Sequence, residues 1–303
     1  MTIATGSRAK VGFIQETTFG TTPTTPTLTE LPFTNFAVNL TREEYEDNSI
    51  RSDRMERYSL SGNKSVDGTI DVNFAHGPFD ALLESLLQSA WATNELTVGS
   101  TRTSFTVEES QLDIGQYRAY TGVIVDKMDI TIPASGIVTA KFALLGKNQS
   151  ALSTTSIDAG AYTAAPAVQP FTDNGVSGFV KEGGTSTGVI TNIQFTIDNG
   201  HAKNYTVGTD VVRDFTAGLI KVTGTVSVFF EDATMYNKFL NSTQTSFDFK
   251  LDDGTNTVEF FLPNVKLTGA TKTITGNGPV TMSMPFRALY DGTTGTNIKI
   301  TRS

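Results

Sequence analysis

Apolar and polar residues alternate most clearly in the segment VDGTIDVNF, residues 66–74. Its apolar residues recur at every second position, and the polar residues between them fall on the opposite face. This period of two predicts a β-strand with one buried face and one solvated face. The solvated face would carry Asp67, Thr69, Asp71 and Asn73.

A second segment, VTGTVSVFF at residues 222–230, repeats this strand later in the chain. Five of the nine positions are identical, and a sixth differs only by an Ile-to-Val change. Other matching blocks follow the same order, for example residues 12–16 and 178–182. Ordered matches of this kind predict a tandem duplication, with units of about 9–147 and 175–290. The solvated face of the second strand would carry Thr223, Thr225 and Ser227.

Each unit contains a further alternating segment and one stretch with helical spacing. Residues 137–144 alternate in the first unit and residues 279–286 in the second. Apolar residues recur at helical spacing in GPFDALLESLLQSA, residues 77–90, and in a shorter form at 235–240. The polar positions that would extend the solvated face are Thr139, Lys141, Thr281 and Ser283, with Lys127 and Asp129 nearby.

These patterns predict a mainly β protein with two tandem β-sandwich or partial-barrel domains, each with a short flanking α-helix. The predicted order is a first domain at 1–150, a linker at 151–174, a second domain at 175–290 and a C-terminal arm at 291–303. The linker is rich in Ser, Thr, Ala and Pro and has no periodicity. A Thr/Pro-rich stretch at 17–29 is predicted to be extended, and either to lie on a neighbour or to stay mobile.

Composition narrows the possible functions. The chain has 303 residues, a net charge of −8 and no cysteine, so it holds neither a disulfide framework nor a thiolate metal site. The negative charge opposes tight binding to a phosphate backbone. No apolar run is long enough to span a membrane, and the N-terminus lacks the apolar core of a signal peptide, which favours a protein that stays in the cytoplasm where it is made.

Candidate catalytic residues are few. The only histidines, His76 and His201, lie far apart in sequence and are predicted to be exposed loop or strand-end residues. The sequence contains no nucleophile elbow, phosphate-binding loop or dinucleotide-binding motif. The segment DDGTN, residues 252–256, is better explained as a hairpin turn than as a calcium loop. We therefore predict that the protein is not an enzyme and holds no metal or cofactor.

The segment REEYEDNSIRSDRMER, residues 42–57, is chemically unusual. Ten of its sixteen residues are charged, and both signs are interleaved. For an isolated domain a solvated loop would explain it. A long loop between two strands of a repeat is also a common position for a functional contact, and mixed charges favour a complementary protein surface over nucleic acid.

The blocks AKVGFIQETTFGTTPTTP and VDGTIDVNF, the charged segment and the apolar helix together resemble the major tail tube proteins of long-tailed bacteriophages. The resemblance covers both units and rests on block order rather than on an invariant motif. It implies a β-sandwich with a flanking helix, closed into rings that stack into the tube through which DNA passes. One sheet of each domain would join its neighbours in a continuous barrel around the lumen. The lumen-facing residues would be Asp67, Thr69, Asp71, Asn73, Lys127, Asp129, Thr139, Lys141, Thr223, Thr225, Ser227, Thr281 and Ser283.

The same resemblance implies the partners. The chain would be made in the host cytoplasm and would assemble with itself in the virion. The family implies hexameric rings for single-domain subunits, so the tandem duplication predicts that three chains form a homotrimer with pseudo-sixfold symmetry. It would also contact the tape measure protein and the tail terminator and tip proteins, while double-stranded DNA passes without specific binding. The charged segment would join stacked rings through Glu43, Glu44, Tyr45, Glu46, Asp47, Ile50, Arg51, Arg54, Met55 and Arg57.

Two alternatives remain from the sequence alone. A capsid decoration protein or a secretion ring would also be β-rich and acidic. A carbohydrate-binding or adhesive two-domain sandwich would need clustered exposed aromatic residues, whereas the chain has one tryptophan, Trp91.

Overall fold

A computed structural model describes residues 3–158, 160–173, 180–186, 190–231, 233–274 and 276–303. The predicted start of the second domain at residue 175, and Gly178 and Phe179 of the second matching block, lie outside these ranges. The described part of the chain is mainly β-structure with two short α-helices and one turn of 3-10 helix, Gly6–Arg8.

The strands of the N-terminal half precede and follow one helix, α1 (Asp80–Leu87). They are β1 (Ala9–Gln15), β2 (Thr29–Glu30), β3 (Asn35–Glu46), β4 (Ser59–Asn73), β5 (Glu95–Thr97), β6 (Phe105–Gln111), β7 (Gln116–Pro133), β8 (Thr139–Gly146) and β9 (Asn148–Gln149).

The strands of the C-terminal half are arranged around α2 (Thr234–Leu240). They are β10 (Val180–Glu182), β11 (Thr185–Ser186), β12 (Ile190–Asp198), β13 (Ala202–Asn204), β14 (Asp214–Thr216), β15 (Lys221–Phe229), β16 (Thr245–Asp252), β17 (Thr257–Leu267), β18 (Thr271–Thr273), β19 (Thr281–Ala288) and β20 (Lys299–Arg302). The predicted hairpin turn lies between β16 and β17, where Asp253 N donates to Asn256 O at 3.1 Å.

One antiparallel sheet runs through both halves of the chain. Its strands follow the order β3–β4–β8–β7–β12–β15–β19, and β19 then pairs with β17 and β18. The halves meet where β7 pairs with β12, from Asn192 opposite Pro133 to Asp198 opposite Lys127. The sheet is therefore continuous across the middle of the chain.

The order of strand pairing occurs twice. In the first half it is β3–β4–β8–β7–β6–β1, and in the second half β12–β15–β19–β17–β16–β10. The helices α1 and α2 each follow the repeated strand, which is β4 in the first half and β15 in the second. The register also corresponds, because Asn35 pairs with Asp71 while Asn192 pairs with Ser227.

The repeated strand contains a glycine at the same place in both halves, and the packing explains why. A Cβ on Gly68 would lie 2.2 Å from the backbone oxygen of Ala37. A Cβ on Gly224 would lie 2.5 Å from the backbone oxygen of Gln194 and 2.6 Å from the ring of Phe286. The neighbouring strand approaches too closely for any side chain at these two positions.

The apolar core continues from one half to the other. The ring of Phe260 lies 5.9 Å from that of Phe74 and 5.4 Å from that of Phe195. The helix α1 buries Leu82, Leu83, Leu86 and Leu87 against this core, whereas no residue of α2 is fully buried. The helix α1 is shorter than its sequence pattern, which extends over residues 77–90, whereas α2 covers the whole pattern at 235–240.

Three segments that the sequence predicts to be arms or a linker are packed on the chain itself. In the 17–29 stretch Leu28 is fully buried, and its N–H donates to Asp158 Oδ2 at 2.8 Å. The 151–173 stretch forms bridges to the first half, and Phe171 is fully buried. Residues 291–303 include β20, which pairs with β17 on one side and β5 on the other. These predictions miss the packing because none of the three segments has a periodic pattern.

Candidate functional site: the polar sheet face, the charged hairpin and the sheet edges

All the residues predicted to face the lumen lie on one face of the continuous sheet. The register pairs place them in rows across the strands, for example Thr69 beside Ala143 and Thr225 beside Gln194. The opposite face is apolar and is buried except near the two ends of the sheet. The residues on the polar face are Asp67, Thr69, Asp71 and Asn73 of β4, Lys127 and Asp129 of β7, Thr139 and Lys141 of β8, Thr223, Thr225 and Ser227 of β15, and Thr281 and Ser283 of β19.

The carboxylates of this face are balanced by basic side chains. Lys141 Nζ lies 3.7 Å from Asp71, and Lys127 Nζ lies 3.1 Å from Asp129. The polar face is therefore less acidic than the strand pattern in β4 alone suggests. Such partly exposed ion pairs contribute little to stability, but they reduce the net charge of this face.

Asp67 is the exception on this face, because it is held in a network. It accepts hydrogen bonds from Lys203 Nζ at 2.5 Å, Ser65 Oγ at 2.7 Å and Thr41 Oγ1 at 3.1 Å. Burial raises the pKa of this carboxyl, but the hydrogen bonds from Lys203, Ser65 and Thr41 outweigh that effect and leave the pKa lowered. Asp67 thus fastens the second half, through Lys203, to the first.

The polar face differs from the predicted set of residues on β15, β19 and β12. Phe229 interrupts the polar series on β15 and is partly exposed. On β19 the face continues through Pro285 and the exposed Arg287, and β12 adds Gln194 and Thr196. The polar positions predicted from the sequence do not include Gln194 and Thr196, although residues 191–198 alternate in the same way.

The charged segment is a hairpin rather than the predicted loop. The end of β3 contains Glu43, which lies at a register shift, and then Glu44, Tyr45 and Glu46, which pair with the start of β4. Tyr45, for example, lies opposite Leu60. Only residues 47–58 connect the two strands. The two strands remain paired beyond the part of the sheet that β8 covers, because β8 reaches only to Val66. The charged hairpin, residues 42–61, therefore forms a two-stranded ribbon.

The charged hairpin exposes large apolar side chains. Ile50 is fully exposed, Met55 is 73% exposed, and Tyr45 is 52% exposed. Tyr58 and Leu60 are also more than half exposed. The sequence pattern alone did not predict a role for them. Exposed apolar groups that cluster on one surface are typical of interaction sites.

Several of the charges on this hairpin pair with each other. Arg51 lies 3.2 Å from Asp47, and Arg57 bonds to Asp53. At the base, Arg42 and Lys64 both contact Asp210 of the second half, at 3.3 and 3.0 Å. Glu44 and Arg54 lie on the same ribbon, and Glu44 accepts a hydrogen bond from Ser59.

The side chain of His201 is only 1% exposed, which corrects the prediction that this residue is exposed. Its backbone and its Nδ1 atom contact Asp126 Oδ1 at 2.9 and 2.8 Å, and its Nε2 atom lies 2.9 Å from Gln88 Nε2. With Gln88 as donor, this network assigns the proton to Nδ1. His201 thus joins the connection that follows β12 to the end of α1. Its burial came from segments distant in sequence, so no local pattern predicted it.

Neither a metal centre nor a membrane-spanning helix is found in the described residues. Within those ranges, no group of three or more His, Cys, Asp or Glu side chains is placed to hold a metal ion. Nor does any described helix combine the length and apolar character needed to cross a membrane.

The continuous sheet ends in two open edges. In the part of the chain that the structure describes, the only strand pairing of β3 is with β4, and the only pairing of β18 is with β19. An unpaired strand edge presents backbone donors and acceptors to any other chain. A β-rich subunit with an open sheet, a polar face and an exposed ribbon has the properties of an assembly protein.

A family model described as phage tail tube protein matches residues 6–288. The match covers nearly the whole chain, and the chain belongs to this family. It is a structural protein of the virion that builds the tail tube, as the sequence pattern predicts. No curated protein matches the chain.

Proposed function

We propose that the polar sheet face lines the lumen of the tube and that DNA slides along it without specific binding. The observation that carries this proposal is the continuous sheet, with one buried apolar face and one face of short polar residues and paired charges. Phosphates would meet few unpaired cations there, so electrostatic adhesion would be weak. The protein would act as a conduit and have no catalytic role.

Three chains would close one ring. Each chain supplies eight strand positions to the sheet, from β3 to the paired β17 and β18. Three chains then give about 24 strands, which at ~4.8 Å spacing and ~40° tilt form a barrel ~50 Å across. Such a barrel leaves room for duplex DNA after side chains are added, whereas six chains would double the bore.

Cryo-electron microscopy of assembled tubes would test both statements. We expect three chains per ring and the polar face on the inside. Six chains per ring would contradict the stoichiometry, and Thr69 or Thr225 on the outer surface would contradict the lumen assignment. Failure of the purified protein to form any tube, alone or with its tip proteins, would contradict the proposed assembly as a whole.

A charge change on the polar face would test the sliding role directly. Thr69 and Thr225 occupy equivalent positions on β4 and β15, so replacing both with Lys adds two cations per chain without breaking the Asp67 network. We expect tubes of normal shape and slower DNA ejection from reconstituted particles, because phosphates would bind the added cations. The size-matched control is Thr69→Gln with Thr225→Gln. Equal ejection rates in the two double variants would contradict the lumen role.

We also propose that the charged hairpin joins one ring to the next. Contacts along the tube axis need a group that projects beyond the sheet, and the ribbon extends beyond β8. Tyr45, Ile50 and Met55 would supply apolar anchors, because exposed ion pairs alone are worth only about 0–1 kcal/mol each. Glu43, Glu44, Glu46, Asp47, Arg51, Arg54 and Arg57 would set the register between rings.

Shortening the hairpin would test this role. Replacing residues 47–58 with Asn-Gly would join Glu46 to Ser59, which already face each other, through a tight turn. We expect a folded protein that forms no long tubes. The double variant Ile50→Ser with Met55→Ser is a milder version that keeps the ribbon length. Tubes of normal length from both variants would contradict the inter-ring role.

The remaining partners follow from the position of each surface in a tube. The tape measure protein would contact the polar face, and the terminator and tip proteins would cap the exposed ends of the stack. Crosslinking of assembled tails followed by mass spectrometry would test these contacts.

A further inference from the structure

The junction between the two halves of one chain has a defined geometry. In it β12 lies antiparallel to β7, with Gln194 opposite Thr131 and Thr196 opposite Asp129. The apolar residues that alternate with them, Ile193 and Phe195, are buried. This junction is a complete strand-to-strand contact between one copy of the repeated fold and the next.

The two open edges are the counterparts of the strands that form this junction. β3 corresponds to β12, because both pair with the repeated strand in the same register. Asn39 lies opposite Asp67 in the first half, and Thr196 lies opposite Thr223 in the second. β18 corresponds to residues 127–133 of β7, because both pair in the same register with equivalent strands, β19 and β8. Thr271 faces Ser283, just as Asp129 faces Lys141.

We propose that β18 of one chain pairs with β3 of the next chain, in the register of the internal junction. The paired residues would be Ala37 with Thr273, Val38 with Lys272, and Asn39 with Thr271. This proposal rests on the proposed ring and specifies the contact that closes it. Each contact between chains would then repeat the contact within a chain, and the sheet would continue around the ring.

Burial at the β18 edge supports the proposal. Ile132, next to the internal junction, is 4% exposed, whereas Ile274 at the corresponding place is 69% exposed. Phe74 is 1% exposed, and its counterpart Phe230 is 37% exposed. In the first half this part of the apolar face is covered by the second half. The corresponding part of the second half is exposed. A second copy of the first half has the surface needed to cover it.

The β3 edge shows the complementary difference. Phe36 and Leu40 are half-buried, whereas their counterparts Ile193 and Ile197 at the internal junction are fully buried. Both edges thus carry apolar residues on the same side of the sheet. Bringing them together would remove both from water, which is the main favourable contribution to association.

Side chains satisfy part of the β3 edge in the free subunit. Tyr120 Oη donates to Val38 O at 2.8 Å, and Leu40 N–H donates to Gln149 Oε1 at 3.3 Å. Burial raises the pKa of Tyr120 to about 12, so its hydroxyl stays protonated and remains a donor. These bonds also show that Val38 and Leu40 direct their backbone groups away from β4. A carbonyl oxygen can accept a second bond, and the long contact to Gln149 can be exchanged for a strand bond.

Lys272 requires a separate explanation, because it occupies the place of the buried Ile130. Its Nζ atom lies 4.7 Å from the centre of the Phe230 ring. The aliphatic stem can cover apolar surface while the ammonium group keeps this cation–π contact. The proposed pairing uses the backbone of Lys272 and leaves the side chain where it is.

Engineered disulfides would test the register, because the native chain has no cysteine. Ala37→Cys with Thr273→Cys should crosslink between chains in assembled tubes, since directly opposed Cβ atoms lie about 4.5–5.5 Å apart. Gln194→Cys with Thr131→Cys is the matched control at the internal junction and should crosslink within a chain. Ala37→Cys with Thr271→Cys shifts the register by two residues and should crosslink poorly. Electrophoresis without reductant would show a ladder that ends at the number of chains per ring.

The outcomes separate this inference from the proposed function. If tubes form and the internal control crosslinks but the Ala37 and Thr273 cysteines do not, the register is wrong while the tube role stands. Crosslinking of the shifted pair at an equal rate would also overturn the register. If the unmodified protein forms no rings at all, the proposed function itself fails.

A backbone variant provides a second test that does not depend on disulfide chemistry. Lys272→Pro removes the N–H that would bond to Val38 of the next chain, with Lys272→Ala as its control. We expect the proline variant to melt as the alanine variant does but to form no rings. Rings from the proline variant in normal yield would overturn the pairing.

Discussion

The two halves of the chain share one order of strands but differ in how completely they are covered. In the first half α1 is buried, and the connection at residues 199–220 packs on its end through Asn199, whose Nδ2 donates to Leu86 O at 2.7 Å. In the second half α2 buries no residue fully, and the apolar edge around Ile274 is exposed. The first copy is completed within the chain, and the second is left open.

The hairpins that follow β3 and β12 show the same difference. The connection at residues 199–220 folds back on the first half, where Val212 and Phe215 pack with Ile124. The charged hairpin at 42–61 occupies the corresponding place in the repeat but exposes Ile50 and Met55. The connection after β12 therefore makes contacts within the chain, whereas the charged hairpin, its counterpart after β3, is available for contacts between chains.

Replacing the repeated glycine with alanine should have the largest effect on stability in each half. Gly68→Ala places a Cβ 2.2 Å from a backbone oxygen, and Gly224→Ala places it 2.5 Å from another. We expect each to lower the free energy of unfolding by more than about 3 kcal/mol, with Gly68→Ala the more severe. Thermal denaturation would measure both.

Gly292→Ala is the control for the glycine variants, because a Cβ added at this position would have no other atom within 4 Å. It should melt like the native protein. If Gly68→Ala also melts normally, close strand approach does not explain the repeated glycine.

The two hairpins should respond in opposite ways to loss of an aromatic ring. Phe215→Ala removes a buried ring that lies 5.9 Å from Phe19, and should cost about 3 kcal/mol of stability in the free subunit. Tyr45→Ala removes an exposed ring and should change subunit stability by less than about 0.5 kcal/mol while reducing tube formation. Urea denaturation of the monomer and electron microscopy would measure the two effects. A large stability loss in Tyr45→Ala would mean that the charged hairpin is completed within the chain after all.

Replacing the equivalent glutamate near the start of each half should cost more stability in the first half than in the second. Glu16 is buried and accepts bonds from Gly20 N, Ser104 Oγ and Gly122 N at 2.7–2.8 Å, and from Thr106 Oγ1 at 2.9 Å. Glu16→Gln should cost about 2 kcal/mol, because the amide cannot accept all of these bonds.

The matching variant in the second half is Glu182→Gln. Glu182 bonds to Lys238 and Thr245 in a less enclosed place, so we expect a cost of at most about 1 kcal/mol. Equilibrium unfolding of both variants would give the ratio. Equal costs would contradict the view that the first half is the more tightly built.

The smallest expected effect is a pH dependence at the link between the halves. Burial raises the pKa of Asp126, but the hydrogen bonds from the side chain and backbone of His201 outweigh it and lower the pKa below its usual 3.8. A lowered carboxyl pKa stabilises the fold above pH 3.8, and this contribution is lost as the pH falls through the folded value. Asp126→Asn should therefore destabilise the protein at about pH 7 and by a smaller amount at about pH 3. A cost that does not change with pH would contradict the assignment.

Local sequence determined the strands and the polar face. Alternation is a property of neighbouring residues, so it predicted that Thr69 and Thr225 share the solvated face of one type of strand. The repeated segments also predicted a tandem duplication, and the structure shows the same order of strand pairing in both halves. The charges of the charged hairpin were likewise visible in the sequence, whereas the exposure of its apolar side chains was not.

Tertiary structure decided which surfaces are covered. The burial of the His201 side chain, of Leu28 and of Phe171, and the packing of β20 between the halves, depend on segments far apart in the chain. Pairing of β7 with β12 is equally nonlocal, and so are the open edges at β3 and β18. A residue's own neighbours set its strand and its face, but burial requires a partner surface, and only the folded chain shows which surfaces have found one.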